Sequence, residues 1–272
     1  MFWWVLRGHI TFDMKTIGFA GCSFTHGEGL DYYFGSRETS RFSNLVASHF
    51  NVQSLNQSFR GGSHTKIISW WESFLGHENI DAFVFQFTRW TRSDSLLLPG
   101  VSHIGLLAKH EKVFHEWATE NNTTVDDYIE QAQVTDVLNV LNFLQQYEHR
   151  FPIYILCWPH TTLSYIKQHT WLTDRLITLS YQGETYETIA NLMDTPLQPK
   201  VSVTKALGEF FDVYTSKFNT TNTARPELTI ATDYVNFKKP RMDYHPSKLC
   251  HEVIANNIID RLTHDNLFQN NK

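Results

Sequence analysis

The sequence predicts an α/β protein of three layers, α/β/α, with a central parallel sheet. Three observations predict it. Short, near-continuous apolar runs at 17–20, 81–87 and 153–158 read as strands buried on both faces. Between them lie longer stretches with apolar residues at helical spacing. The order strand, helix, strand, helix, strand calls for right-handed crossovers, which place helices on both faces of the sheet.

The first strand is Ile17-Gly18-Phe19-Ala20. Residues 39–50 follow as a helix with Phe42, Leu45, Val46 and His49 on one face. A short strand at 52–55 leads to the Gly61-Gly62 turn. The next helix, 64–75, sets Ile67, Ile68, Trp71, Phe74 and Leu75 inward and stops at Gly76. Residues 81–87 are the best central strand. Residues 99–122 have weak periodicity and read as an insertion carrying His103, His110 and His115. A long helix over 125–149 turns Ile129, Val137, Leu138, Leu141 and Leu144 inward, and the strand 153–158 is stopped by Pro159. Residues 184–193 read as a helix and 196–199 as a turn or loop. Ser247 caps a last helix with the stripe Leu249, Val253, Ile254, Ile258 and Leu262.

Composition narrows the function classes. The chain has 272 residues, 42% hydrophobic and 14% aromatic, enough for a sizeable core and against disorder. A net charge of −5 with interspersed signs gives no electrostatic case for nucleic acid. No apolar run approaches the roughly 20 residues that span a bilayer, so no membrane span is expected. Cys22, Cys157 and Cys250 lack metal-ligand spacing and fit a reducing compartment as buried thiols. With no signal peptide evident, a cytoplasmic location is expected. Residues 1–13, with Trp3 and Trp4, read as an N-terminal extension ahead of one domain over 14–272. The alternative is an extra edge strand.

Two stretches carry the chemistry. Gly21-Cys22-Ser23-Phe24-Thr25 follows the first strand, and a small polar residue there sits on the rim where open α/β sheets keep their sites. Ser23 is a candidate nucleophile, or simply a cap for the next helix. Asp243-Tyr244-His245-Pro246-Ser247 places an Asp close before a His, so Asp243 and His245 can supply a base and its orienting carboxylate from one loop. Cys22 lacks a basic neighbour to activate its thiol, and His26 is a poorer base than the late His. Gly27-x-Gly29 lacks the third glycine of a dinucleotide fingerprint.

Ser23 early with Asp243 and His245 late resembles the SGNH, or GDSL-like, hydrolase family. Gly21–Thr25 looks like its first block, with Cys22 where Asp is usual. Asn56-Gln57-Ser58-Phe59-Arg60-Gly61 looks like its second, whose Gly donates a backbone N–H to the oxyanion hole. Two departures stand out. The third-block Asn is missing, since the matching strand end reads Phe87-Thr88-Arg89-Trp90, and Asp243 stands two rather than three residues before His245.

The resemblance implies an SGNH-hydrolase, flavodoxin-like fold and a serine esterase or acylhydrolase acting on a small-molecule or carbohydrate ester, without metal or cofactor. Ser23, Asp243 and His245 would be the triad, and Ser23 and Gly61 the oxyanion donors. Asn56, Arg89 and Arg92 are the substrate-side candidates, although residue type favours Asn56 pinning its loop by side-chain hydrogen bonds, and either arginine could stand in for the missing donor. Two alternatives share the fold: a catalytically weak or inactive carbohydrate- or partner-binding module, and an O-acyltransferase.

Overall fold

The computed structural model describes residues 14–28, 30, 37–75, 79–98, 100–103, 105–106, 110–193, 226–232 and 241–268. Four strands make the central sheet: β1 Thr16–Ala20, β2 Gln53–Asn56, β3 Ala82–Phe87 and β4 Ile153–Cys157. All pairings are parallel and the order is β2-β1-β3-β4. Phe19 stands beside Asn56 on one flank and Val84 on the other. The chain winds outward from β1 to β2, then crosses back over β1 to β3. That reversal opens a crevice at the carboxyl ends of β1 and β3, the place where doubly wound sheets bind ligands.

Between β1 and β2 lie α1 (Ser23–His26), α2 (Arg37–Ser40) and α3 (Phe42–Phe50). Helix α4 (His64–Leu75) joins β2 to β3, while α5 (Glu111–Glu120) and α6 (Val125–Gln145) join β3 to β4. After β4 come α7 (His160–Ile166), α8 (Thr170–Thr173), the hairpin β5 (Leu179–Tyr181) with β6 (Glu184–Tyr186), and α9 (Ile189–Leu192). Strand β7 (Thr229–Thr232) pairs antiparallel with β8 (Arg241–Pro246), and α10 (Lys248–His264) ends the described fold.

Strand alternation sends successive side chains to opposite faces, and each face has its own core. Ile17, Phe19, Val84, Tyr154 and Leu156 pack with Phe42 and Val46 of α3 and with Ile254 and Ile258 of α10. Ala20, Phe83, Phe85, Phe87, Ile153 and Ile155 pack with Ile67 and Trp71 of α4 and with Val140 and Leu144 of α6. A three-layer α/β/α sandwich results. Leu106, Phe114, Ala118 and Tyr128 form a separate small cluster from 99–122 and the start of α6. Thr124 opens α6 with a capping box, its Oγ1 accepting the Asp127 amide at 3.1 Å while the Asp127 carboxylate accepts the Thr124 amide.

The structure corrects several expectations. The helix over 39–50 is two, because Arg41 is extended between α2 and α3. Restarting at Phe42 turns Phe42, Val46 and Phe50 inward and leaves His49 exposed. Helix α6 ends at Gln145, and its buried face runs through Val137, Val140, Leu141 and Leu144, so Leu138 is exposed. Leu249 is exposed too, since the buried stripe of α10 starts at Cys250. The first part of 184–193 is a strand, because Gln182 and Gly183 both have positive φ and make a tight hairpin turn. Asp243 and His245 lie on β8, not on a loop, with Asp243 registered against Ile230. Residues 1–13, Gly76 and 196–199 lie outside the described residues. Among the described residues no helix is long and apolar enough to cross a membrane.

Adjacent tryptophans on α4 test the packing. Trp71 is fully buried against Phe83, whereas Trp70 is 49% exposed. Trp71→Ala is expected to lower stability by about 3–5 kcal/mol in urea titrations, and Trp70→Ala by about 1 kcal/mol or less.

Candidate active site

The site begins where β1 runs out. A Cβ on Gly21 would stand 2.2 Å from Thr25 Oγ1 and 2.7 Å from Gln86 Oε1, so only glycine fits between strand and helix. Cys22 is the extended residue ahead of α1, and its side chain makes no capping hydrogen bond. Ser23 is the first helical residue, so its hydroxyl is not spent as a cap. It is buried, with Oγ 4.0 Å from Cys22 Sγ. Its amide belongs to the first turn, whose amides have no acceptor within the helix.

Buried Gln86, the one polar residue of β3, ties α1 to the sheet. Its Oε1 accepts from the Thr25 amide at 3.2 Å and from the Thr25 hydroxyl, and its Nε2 donates to Cys22 Sγ at 3.5 Å. A polar residue in a buried apolar run was the signal for this role.

The loop after β2 is pinned against α1. Asn56 Nδ2 donates to the Thr25 carbonyl at 2.9 Å and to Ser43 Oγ at 2.7 Å, and Oδ1 accepts from the Ser58 amide at 3.2 Å. Both ends of the Asn56 amide are therefore used in holding the loop. His26 adds a second pin. Its Nδ1 lies 3.0 Å from the Ser58 carbonyl, which can only accept, and its Nε2 lies 2.6 Å from Arg37 Nη1, which can only donate. The ring is thus neutral with its proton on Nδ1, and burial pushes its pKa down. Arg60 pairs with Glu28 across the same junction at 2.5 Å. Gly61 takes φ +65°, the left-handed region, with open space where a side chain would project.

His245 comes to the same end of the sheet. Its ring meets the Phe24 ring edge-on at 5.4 Å between centroids. The other neighbour of Phe24 is Trp158, just past β4, at 4.3 Å. Arg89 and Arg92 lie over the Trp158 ring, with Cζ at 4.7 and 5.1 Å from its centroid. The structure thus gathers the segments of Ser23, Gly61, His245, Arg89 and Arg92 around the carboxyl ends of β1, β3 and β4. Asp243 is two residues before His245 on β8.

The exit of β3 hides a polar network that the sequence does not announce. Thr88 donates its amide to His64 Nε2 at 2.7 Å, His64 Nδ1 donates to Asp136 at 2.5 Å, and Ser93 Oγ donates to Asp136 at 2.6 Å. All four residues are buried. The Thr88 amide, in the strand end that matches the third block, is therefore committed inside the protein. His103, one of the insertion's histidines, bonds Tyr128 Oη at 2.9 Å. His251 on α10 accepts the Phe42 amide at 3.2 Å and stacks on that residue's ring.

No family model and no curated protein matches this sequence. Several solved structures align with it. An esterase from Pseudoalteromonas is 8% identical, with 92% of this chain and 97% of that chain covered and a TM-score of 0.42. An acetylxylan esterase from Geobacillus stearothermophilus is 13% identical, over 91% and 94%, at 0.42. A member of the lipolytic G-D-S-L family from Veillonella parvula is 12% identical, over 92% and 98%, at 0.41. At such scores the fold rests on this chain's own strand order.

Burial holds His103 down at about 4 and His251 at about 3, the charges of His245 and Arg41 adding to the effect at His251. Both folded values lie below the ordinary 6.5, so below that pH the unfolded chain takes up protons that the folded one refuses. Stability is expected to be full above pH 6.5 and to fall as the pH drops, by up to about 1.4 kcal/mol per unit per histidine. Urea midpoints from pH 7 to 4.5 check this, and His251→Gln should flatten the decline.

Proposed function

We propose that this chain is a serine esterase or acylhydrolase of the SGNH type. The observation that carries the reading is the placement of Ser23. Its hydroxyl sits at the switch point of the sheet, is not used as a helix cap, and adjoins a residue whose ring touches His245. In this reading Ser23 Oγ attacks the ester carbonyl while His245 takes its proton. Asp243 orients the imidazole and stabilises the imidazolium. The tetrahedral oxyanion accepts from the amides of Ser23 and Gly61. Its collapse expels the alcohol, which takes the proton back from His245. Water then attacks the acyl-enzyme by the same route and frees the acid.

One observation favours a second reading, a binding module on the same fold. The Thr88 amide is committed to His64, and a missing oxyanion donor costs about 10²-fold in rate unless something replaces it. A guanidinium of Arg89 or Arg92 is the replacement at hand, since each offers five N–H groups.

Turnover of p-nitrophenyl acetate by wild type and Ser23→Ala, with fluorophosphonate labelling, separates the two readings. The esterase reading expects the label on Ser23 and a loss of at least about 10³-fold in Ser23→Ala. His245→Ala should lose about as much, because nucleophile and base act as a unit. Equal rates for wild type and Ser23→Ala, with no label, would leave the binding module.

A further inference from the structure

The two arginines beside the site are unusual in their setting. Arg89 flanks and Arg92 ends the 3-10 turn Trp90–Arg92, and both guanidinium groups come back to one indole, that of Trp158. Trp158 is itself 6% exposed and packs on Phe24, the neighbour of Ser23. Legs of 5.1 Å from Arg92 to Trp158 and 4.3 Å from Trp158 to Phe24 put the guanidinium two ring contacts from the nucleophile's helix. Stacking on an aromatic face orients a guanidinium and keeps its N–H groups in the plane, where they can meet an acceptor.

Arg92 Nη1 is buried and has no hydrogen-bond partner. A charged donor shut away from water without an acceptor is costly, and native proteins seldom keep one without a use. Among the described residues, the two carboxylates next to it along the chain and through Ser93 do not serve it: Asp136 accepts from His64 and Ser93, and Asp94 is exposed. In a chain of net charge −5, Arg89 and Arg92 thus meet on one indole beside the candidate site.

We propose that Arg92, aided by Arg89, is an anion-binding subsite of the catalytic pocket, and that the ester substrate carries a carboxylate or phosphate group. This rests on the esterase reading of Ser23. The anion would complete the coordination of Arg92 by charge-assisted hydrogen bonds in the plane of the guanidinium, while Trp158 holds that plane. Ester binding and ester placement would then be coupled, since the same indole packs against Phe24.

Two matched pairs of esters test it. p-Nitrophenyl hemisuccinate against p-nitrophenyl butyrate places the charge on the acyl side. 4-Acetoxybenzoate against its methyl ester places it on the alcohol side. At low salt the wild type is expected to show about tenfold or more higher kcat/KM for the anionic member of one pair, mainly through KM. Arg92→Gln should reduce that preference to near unity, and Arg92→Lys should keep part of it, with the charge but not the planar fork. The preference should shrink with added salt. Equal or neutral-favouring kcat/KM in both pairs, in an enzyme that Ser23→Ala inactivates, would overturn the subsite and leave the esterase intact. If wild type turns over none of these esters, the esterase reading fails, and calorimetry with succinate and inorganic phosphate decides the subsite. Binding that Arg92→Gln abolishes supports it, and no binding, or binding equal in Arg92→Gln, overturns it.

Discussion

Strand β1 is hydrogen-bonded on both flanks, by β2 and β3, and buried along all five residues. The chain can leave it only at its end, through a gap that admits no side chain at Gly21. Everything at the candidate site follows from that confinement. The tight exit starts α1 at Ser23 without a capping side chain. The return of the chain across β1 then puts Ser23 at the switch point of the sheet, where doubly wound folds bind ligands.

The pieces around that exit are held by polar side chains inside the fold. Gln86 fixes α1 from below, Asn56 and His26 fasten the loop that carries Gly61, and the His64–Asp136 pair fastens the exit of β3. A buried polar group is costly unless satisfied, and a satisfied network specifies one arrangement. Arg92 Nη1 is among the buried polar atoms still without a hydrogen-bond partner, as is Thr88 Oγ1.

Much of this was legible along the chain. The runs that became β1, β3 and β4, and the helix His64–Leu75, carry periodicities that depend only on local geometry. Ser247 behaves as the cap its residue type predicts, with Oγ accepting the Cys250 amide at 3.2 Å. The misreadings share a cause. Arg41, Leu138 and Leu249 sit where a helix start or its rotation decides exposure, and a shift of one residue turns a side chain by about 100°.

By itself the sequence determined the layer order, the strands buried on both faces, and the pairing of an early Ser with a late Asp and His as the residues worth watching. Those features are written in period and residue type, which act over a few neighbouring positions. Only the tertiary structure decided that Ser23 is not a cap, that Asn56 is spent on its loop, that Thr88 turns its amide to His64, and that Arg89 and Arg92 meet on Trp158. Each of the last three joins residues dozens of positions apart, and such contacts exist only once the crossovers have brought separate strand ends to one edge of the sheet.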